Sequence, residues 1–274
     1  MRVRRAWPDR ARLVTGGALA GALACAGWAA AVADPDRLDW LFLVLVLGAT
    51  GSNLFDARTE AQRVSISGAA LAGALGIAFF GPAAAFAIVV VSELASWLIE
   101  RYRLESLAIN LFSGGAPMLV AGTVFELLRP AEDGSAGFYA ALAVATVLVL
   151  VLNLLFVAAL RAPLDRVPFH AIAAGATSNL LVSLAINVPL AVAAAGLCLE
   201  LGLGGTAFVA FTLIAFSYMA NLVATARLRS RQYASLSWGV LSGLLRTLDI
   251  RDPRAARHAA AVAAFARDIA RAAG

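Results

Sequence analysis

Residues 138–160 read FYAALAVATVLVLVLNLLFVAAL, a stretch without a single charged side chain. A helix of about 20 apolar residues crosses the hydrocarbon core of a bilayer, so this stretch is long enough for one span. Over the 274 residues of the chain, 61% are hydrophobic and 14% are charged, whereas soluble domains are about 45–50% apolar and about 25% charged. The composition therefore predicts a membrane protein. It excludes a secreted disulfide scaffold, a disordered tail and a typical soluble enzyme as descriptions of the whole chain.

Further apolar segments lie on both sides of this stretch, and about eight can be drawn in total. Backbone groups in lipid need hydrogen-bond partners within the chain, so each segment is expected to be a helix and the fold class to be all-α. The second, third and fourth are short for a full span, and Gly81-Pro82 is either a loop or the tip of a re-entrant hairpin. The segments are Leu13–Ala33, Trp40–Phe55, Val64–Phe80, Pro82–Ile99, Leu104–Leu128, Phe138–Leu160, Ala171–Leu199 and Thr206–Ala226.

The arginines predict the orientation of the chain. They gather at alternate loops, which is the pattern that the positive-inside rule gives for an even number of spans. We therefore expect a multi-pass protein of the inner or plasma membrane with both termini cytoplasmic. This topology explains the formal net charge of +5, and no pattern typical of binding to a nucleic-acid polymer occurs. The arginines assigned to the cytoplasm are Arg2, Arg4, Arg5, Arg10, Arg12, Arg58, Arg63, Arg101, Arg103, Arg161, Arg166, Arg227, Arg229 and Arg231.

The N-terminal region has two interpretations. Residues 1–12 are expected to be a cytoplasmic tail, followed by a membrane domain over residues 13–226 that acts as sensor or anchor. Alternatively, the arginine-rich start, the apolar run and Ala31-Val32-Ala33 resemble a secretory signal with a small-residue cleavage site. Retention of the segment keeps the charge pattern consistent and is the preferred interpretation.

Polar side chains within the apolar segments are candidates for an intramembrane site. Glu93 lies in the middle of the fourth segment, where a carboxyl group costs about 2.5–3.5 kcal/mol to insert and must therefore face protein or water. Glu93, Asn110 and Asn179 are the candidate residues for binding a ligand or a proton. The alternative is structural, because Asn side chains also form hydrogen bonds between helices, and Glu93 could be buried in its protonated form.

The last part of the chain is polar enough to be soluble. Residues 227–248 predict a cytoplasmic linker helix, because Tyr233, Leu236, Val240, Leu244 and Leu248 recur every three or four residues. Such a stripe would pair with a second copy of the chain, pack on its own domain or lie on the membrane surface. Asp252 and Pro253 then predict the start of a second helix, in which His258, Val262, Phe265 and Ile269 share one face. On spacing alone, His258 is a structural histidine.

A resemblance gives His258 a second interpretation. Residues 244–253, LLRTLDIRDP, followed by Arg257-His258 and by VAAFARDIA over 262–270, resemble the opening helices of an HD-type metal-dependent phosphohydrolase domain, particularly the HD-GYP group. The resemblance implies a helical bundle that hydrolyses cyclic di-GMP with iron or manganese, in which His258 is the first metal ligand. The His-Asp pair and the Gly-Tyr-Pro loop of that group do not occur. Residues 249–274 are therefore expected to be a truncated start of such a domain, with no catalytic residue and no stably bound metal.

Three hypotheses follow for the function. The first is a signalling protein whose membrane region controls an HD-type phosphodiesterase, with the linker helix as the surface for a homodimer and cyclic di-nucleotide as a ligand of the intact parent only. The second is a small-solute transporter or solute-binding protein that uses Glu93 and buried asparagines. The third is an anchor and dimerisation platform. In all three, the lipid bilayer is a partner.

Overall fold

The computed structural model describes residues 6–56, 68–130 and 132–273. Within these ranges the chain forms α-helices and one short 3-10 helix, and no strand occurs there, so the prediction of an all-α fold is confirmed. The α-helices are α1 (Ala6–Ala31), α2 (Trp40–Asp56), α3 (Gly68–Phe80), α4 (Pro82–Glu100), α5 (Leu104–Leu128), α6 (Ala136–Asp165), α7 (Phe169–Leu201), α8 (Leu203–Arg251) and α9 (Pro253–Ala273), and the 3-10 helix is Pro35–Arg37.

Five of these helices are long and apolar enough to cross a membrane: α1 from Arg10 onward, α4, α5, α6 and α7. The apolar parts of α2 and α3 are shorter than a full span. The prediction that the fourth segment is too short is wrong, because α4 has 19 residues and qualifies by length and hydropathy. The eighth predicted segment lies inside α8, which is not among the five candidates found in the described residues.

The short helix α3 forms the centre of the bundle. It packs against α2, α4, α5, α6 and α7, and nearly all of its side chains are buried. With 13 residues at 1.5 Å of rise each, α3 is about 20 Å long, less than the hydrocarbon thickness of about 30 Å. Because longer helices surround α3, its ends are covered by protein. Small residues permit this close packing, since most positions of GAALAGALGIAFF are Gly or Ala.

A tight, buried turn connects α3 to α4. Gly81 has φ of +88°, a conformation in which a Cβ would be strained, and Pro82 occupies the first position of α4, where its missing N–H is not needed. Both residues are buried. The turn rests on Gly122 of α5, where an added Cβ would lie 2.7 Å from the Cα of Pro82. The turn between α3 and α4 therefore packs directly against α5.

The chain divides after Asn221 into two compact units, 1–221 and 222–274. In the second unit, the predicted N-cap of α9 is confirmed, because Asp252 Oδ1 accepts hydrogen bonds from the backbone N–H groups of Arg254 at 3.0 Å and Ala255 at 3.1 Å. The side chains of Val262, Phe265 and Ile269 are exposed, at 52%, 69% and 68%. The predicted domain boundaries at residues 227 and 249 stay predictions.

Replacing Gly122 by Ala is expected to lower the stability of the bundle. The new methyl group would collide with the backbone of Pro82, so α5 or the α3–α4 turn must move, and such overpacking costs about 1–3 kcal/mol. The measurement is the thermal unfolding midpoint of the purified protein in detergent. Gly175→Ala is the matched control, because a Cβ there meets nothing within 4 Å and alanine is the better helix former. Equal midpoints for the two variants would contradict the packing.

Candidate functional site

The carboxylate of Glu93 is the centre of a polar cluster formed by α2, α4, α5 and the α4–α5 turn. It lies in the second half of α4, half-buried, and accepts hydrogen bonds from side chains of two other elements and of the α4–α5 turn. Its Oε1 accepts from the Tyr102 hydroxyl and from Asn110 Nδ2 at 2.6 Å. Its Oε2 accepts from Asn53 Nδ2 at 3.4 Å. All three partners donate, which is the pattern suited to an ionised carboxylate.

Asn53 comes from α2 and bridges two side chains of α4. Besides Glu93, its Nδ2 group donates to Ser92 Oγ at 3.3 Å. The Ser92 hydroxyl in turn donates to the carbonyl of Val89 at 2.9 Å, and Ser96 donates to the carbonyl of Ser92 at 2.8 Å. Each hydroxyl on this face therefore has a partner in its own helix. Because the Ser92 hydroxyl donates within α4, its oxygen is left to accept from the α2 amide.

The turn between α4 and α5 places Tyr102 over the carboxylate. Arg101 adopts a left-handed conformation with φ of 54°, and its N–H donates to the carbonyl of Trp97 at 2.8 Å. The Trp97 indole N–H then donates to the carbonyl of Tyr102 at 3.0 Å. Burial raises the pKa of the Tyr102 phenol well above its ordinary value, and the hydrogen bond to Glu93 raises the pKa further. Tyr102 therefore keeps its proton at neutral pH and acts as a donor.

Two cavities adjoin Glu93. The first, of about 230 Å³, extends between α3, α4, α5 and α6, and the second, of about 340 Å³, extends toward the α4–α5 turn. Asn53, Glu93 and Asn110 line both. The first also has Ser113 and Asn153 in its wall together with apolar side chains, and the wall of the second includes Ser96, Glu100, Tyr102 and Ser106.

The described wall of the two cavities is acidic. Glu93 and Glu100 supply carboxylates, and the described residues that line either cavity include no arginine, lysine or histidine. The remaining polar groups are amides, hydroxyls and a phenol, all of which carry an oxygen that can accept a hydrogen bond. The arrangement is therefore suited to a cation or to a neutral donor, and it is unsuited to an anion.

A proline explains why Asn153 lies in this wall. Pro117 lies inside α5 and has no N–H, so the carbonyl of Ser113, four residues earlier, has no helical donor. Asn153 of α6 supplies the missing donor, with its Nδ2 2.9 Å from that oxygen. The amide thus satisfies a backbone group that the proline leaves without a helical donor, and it ties α6 to α5 beside the first cavity.

The predicted site residues fall into two groups. Glu93 and Asn110 are in direct hydrogen-bond contact. Asn179, on α7, is half-buried and lines neither cavity. His258 is exposed on α9. Among the described residues, no three His, Cys, Asp or Glu side chains come together as a group that could hold a metal ion.

The sequence also contains site residues that were not predicted. Asn53 is an amide within an apolar segment. The same feature identified Asn110 as a candidate, so Asn53 could have been predicted in the same way. Tyr102 lies between two arginines in a three-residue connection, and nothing local marks it as a partner of Glu93. Glu100, at the end of α4, resembles an ordinary boundary residue.

Replacing Asn153 by Leu is expected to destabilise the bundle by about 1–3 kcal/mol, because the Ser113 carbonyl is left without a donor. The measurement is the thermal unfolding midpoint in detergent. Thr177→Val is the control, since the exposed Thr177 hydroxyl bonds only to Ala173 of its own helix, at 3.0 Å. A midpoint for the Asn153 variant equal to that of the control would show that the α5–α6 hydrogen bond does not contribute.

No known protein family, curated protein or solved structure matches the chain. The resemblance to HD-type phosphohydrolases therefore rests on the sequence of residues 244–270 alone.

Proposed function

We propose that the membrane region of this protein binds a small cationic solute at Glu93. The observation that carries the proposal is the acidic wall of the two adjoining cavities, with Glu93 at their junction and no basic side chain among the described lining residues. A carboxylate in an apolar helix bundle is expensive, and a bound cation offsets that cost. The hypothesis of a transporter or solute-binding protein, made from the sequence, is thereby narrowed to a ligand with positive charge.

The geometry also limits the size of the ligand. Pockets for drug-sized molecules measure about 300–1,000 Å³. The cavities of about 230 and 340 Å³ lie below this range and at its lower end, which suits a small solute. Amide and hydroxyl oxygens beside two carboxylates match the N–H donors of an ammonium group. Aliphatic wall residues such as Val89, Val149 and Leu150 suit a short hydrocarbon portion in the first cavity. We therefore propose an organic ammonium compound as the ligand class.

Replacing Glu93 by Gln is expected to abolish cation binding while leaving the shape of the cavity nearly unchanged. The probes are methylammonium, ethanolamine and putrescine, each compared with acetate, and the measurement is the rise in thermal unfolding midpoint of the purified protein in detergent. We expect at least one of the three cations to stabilise the unsubstituted protein, because a ligand that binds the folded state raises its stability. Acetate should have no effect.

Glu126→Gln is the matched control for this experiment. Glu126 is also a carboxylate of a candidate spanning helix, but it is exposed, and it lines neither cavity beside Glu93. Its replacement should leave the cation-dependent rise intact. An equal loss in both variants would refute the assignment of the site to Glu93, and a failure of all three cations to stabilise the unsubstituted protein would refute the ligand class.

We further propose that the chain has about eight spans and that both termini are cytoplasmic. One structural arrangement supports a common side for the arginines: Arg10, Arg103 and Arg166 come from three separate elements and line one cavity. Arg129, which the sequence assigns to the other side, lies at the opposite end of α5 and pairs with Asp133 at 2.7 Å. This distribution is the one that the positive-inside rule requires.

As a second candidate function, we propose that this region regulates an HD-type phosphohydrolase through α8 and α9. The exposed apolar side chains of α9 favour a helix that packs into a larger bundle, and His258 lies on the same face by spacing. Tyr233, Leu236, Val240 and Leu244 of the predicted linker stripe are also exposed in the single chain, which favours pairing with a second copy.

In a version of the protein extended so that the HD-type domain beginning at residue 249 is complete, His258→Ala is expected to remove bound iron or manganese and to abolish hydrolysis of cyclic di-GMP. A metal-bound water is the nucleophile in such a reaction, so losing a ligand removes both metal and activity. Metal content and hydrolysis are measured on the purified protein. Arg257→Ala, at the adjacent position, is the control. Full metal content and activity after His258→Ala would exclude the histidine from the site.

A further inference from the structure

A third cavity, of about 420 Å³, lies at the end of the bundle where α5 begins and α6 ends. Three arginines from different elements line it: Arg10 of α1, Arg103 in the α4–α5 turn and Arg166 directly after α6. Arg166 has a left-handed conformation with φ of 57°, which terminates α6. These arginines are far apart in sequence, and only the packing of α1, α5 and α6 brings them to one cavity.

Among the side chains that the structure describes in its lining, this cavity has charges of both signs with a positive sum. Glu105 and Asp165 also line it, so three guanidinium groups face two carboxylates. Arg103 pairs with Glu105 at 3.5 Å, and 84% of the Arg103 side chain is exposed. The Glu105 side chain is partly buried, but the guanidinium end of the pair faces solvent, where an ion pair contributes little energy, so Arg103 can also bind another anion. The N-terminus of α5 adds a positive helix dipole beside Arg103, and the C-terminus of α6 adds a negative one beside Arg166.

Arginine clusters of this kind recognise phosphate. The planar guanidinium group offers paired N–H donors that match two phosphate oxygens, and it stays charged at every physiological pH. A cavity of about 420 Å³ has room for a phosphate with a glycerol-sized group attached. From this convergence of Arg10, Arg103 and Arg166 we propose that the cavity binds a phosphate ester, either as the headgroup of an anionic phospholipid or as a small soluble molecule.

The position of the cavity favours the lipid as the source of the phosphate. It is formed by the ends of α1, α5 and α6, three of the five helices that are long and apolar enough to cross a membrane. Headgroups of a surrounding bilayer lie at the depth of such helix ends, and basic pockets between membrane helices are known sites for anionic headgroups. The site is separate from Glu93, because the two sets of lining residues share no member.

The test compares lipid retention by the full-length chain and its variants. The purified protein in detergent is mixed with phosphatidylglycerol or phosphatidylcholine, and bound lipid is counted by native mass spectrometry. We expect phosphatidylglycerol to be retained preferentially, and the double variant Arg103→Gln/Arg166→Gln to bind it about 30-fold more weakly, which corresponds to the loss of two surface arginines. Arg257→Gln/Arg267→Gln, on exposed arginines of α9, is the control and should bind as the unsubstituted protein does.

A second arm of the experiment identifies the source of the phosphate. Glycerol 3-phosphate is titrated in calorimetry against the same proteins. Arginine-dependent retention of phosphatidylglycerol without heat from glycerol 3-phosphate assigns the cavity to lipid, and arginine-dependent heat assigns it to a soluble phosphate ester. The proposal is overturned if both lipids are retained equally and glycerol 3-phosphate does not bind, or if the control variant loses as much binding as the test variant. Should the double variant fail to fold, the single variant Arg103→Gln, at an exposed side chain, replaces it.

Discussion

A polar group inside an apolar helix bundle is costly unless it has a hydrogen-bond partner, and this constraint accounts for the main polar contacts of the membrane region. The carbonyl that Pro117 leaves without a donor is satisfied by Asn153 of the next helix. The Glu93 carboxylate is satisfied by Asn53, Tyr102 and Asn110. In water these groups would be solvated and the pairings would contribute little. In a bundle surrounded by lipid, unsatisfied groups cost several kcal/mol each, so the pairings fix how the helices are arranged.

Close packing at small residues brings these hydrogen-bonding side chains within reach of one another. The central helix α3 is rich in Gly and Ala, so α2, α4 and α5 approach it closely. The α3–α4 turn rests on Gly122 without a side chain between the backbones. Since α2 and α5 both contact α4, amides from both helices reach the same carboxylate. The cavities beside Glu93 lie between these helices, so their walls are built from side chains of several elements.

The cavities beside Glu93 and the cavity lined by the three arginines differ in charge, although two adjacent residues, Tyr102 and Arg103, contribute to them. Tyr102 lines the acidic cavity beside Glu93, and Arg103 lines the cavity with Arg10 and Arg166. A three-residue turn thus separates an acidic wall that suits a cation from a basic one that suits a phosphate. The separation comes from the left-handed Arg101 and from the hydrogen bond of Trp97 to Tyr102, which hold the turn in one conformation. The α4–α5 turn is therefore the structural link between the proposed solute site and the proposed phosphate site.

The sequence by itself determined the helices, the cap at Asp252 and the choice of Glu93 and Asn110, because hydropathy, capping and a charge in an apolar run are local properties. It did not determine which polar side chains meet. Asn53 lies 40 residues from Glu93, and Asn153 lies 40 residues from Ser113. Only helix packing brings them into contact, and it leaves Asn179 outside both cavities at Glu93. The tertiary structure decided these pairings because they depend on helix rotation and close approach, which the hydropathy of a single segment does not encode.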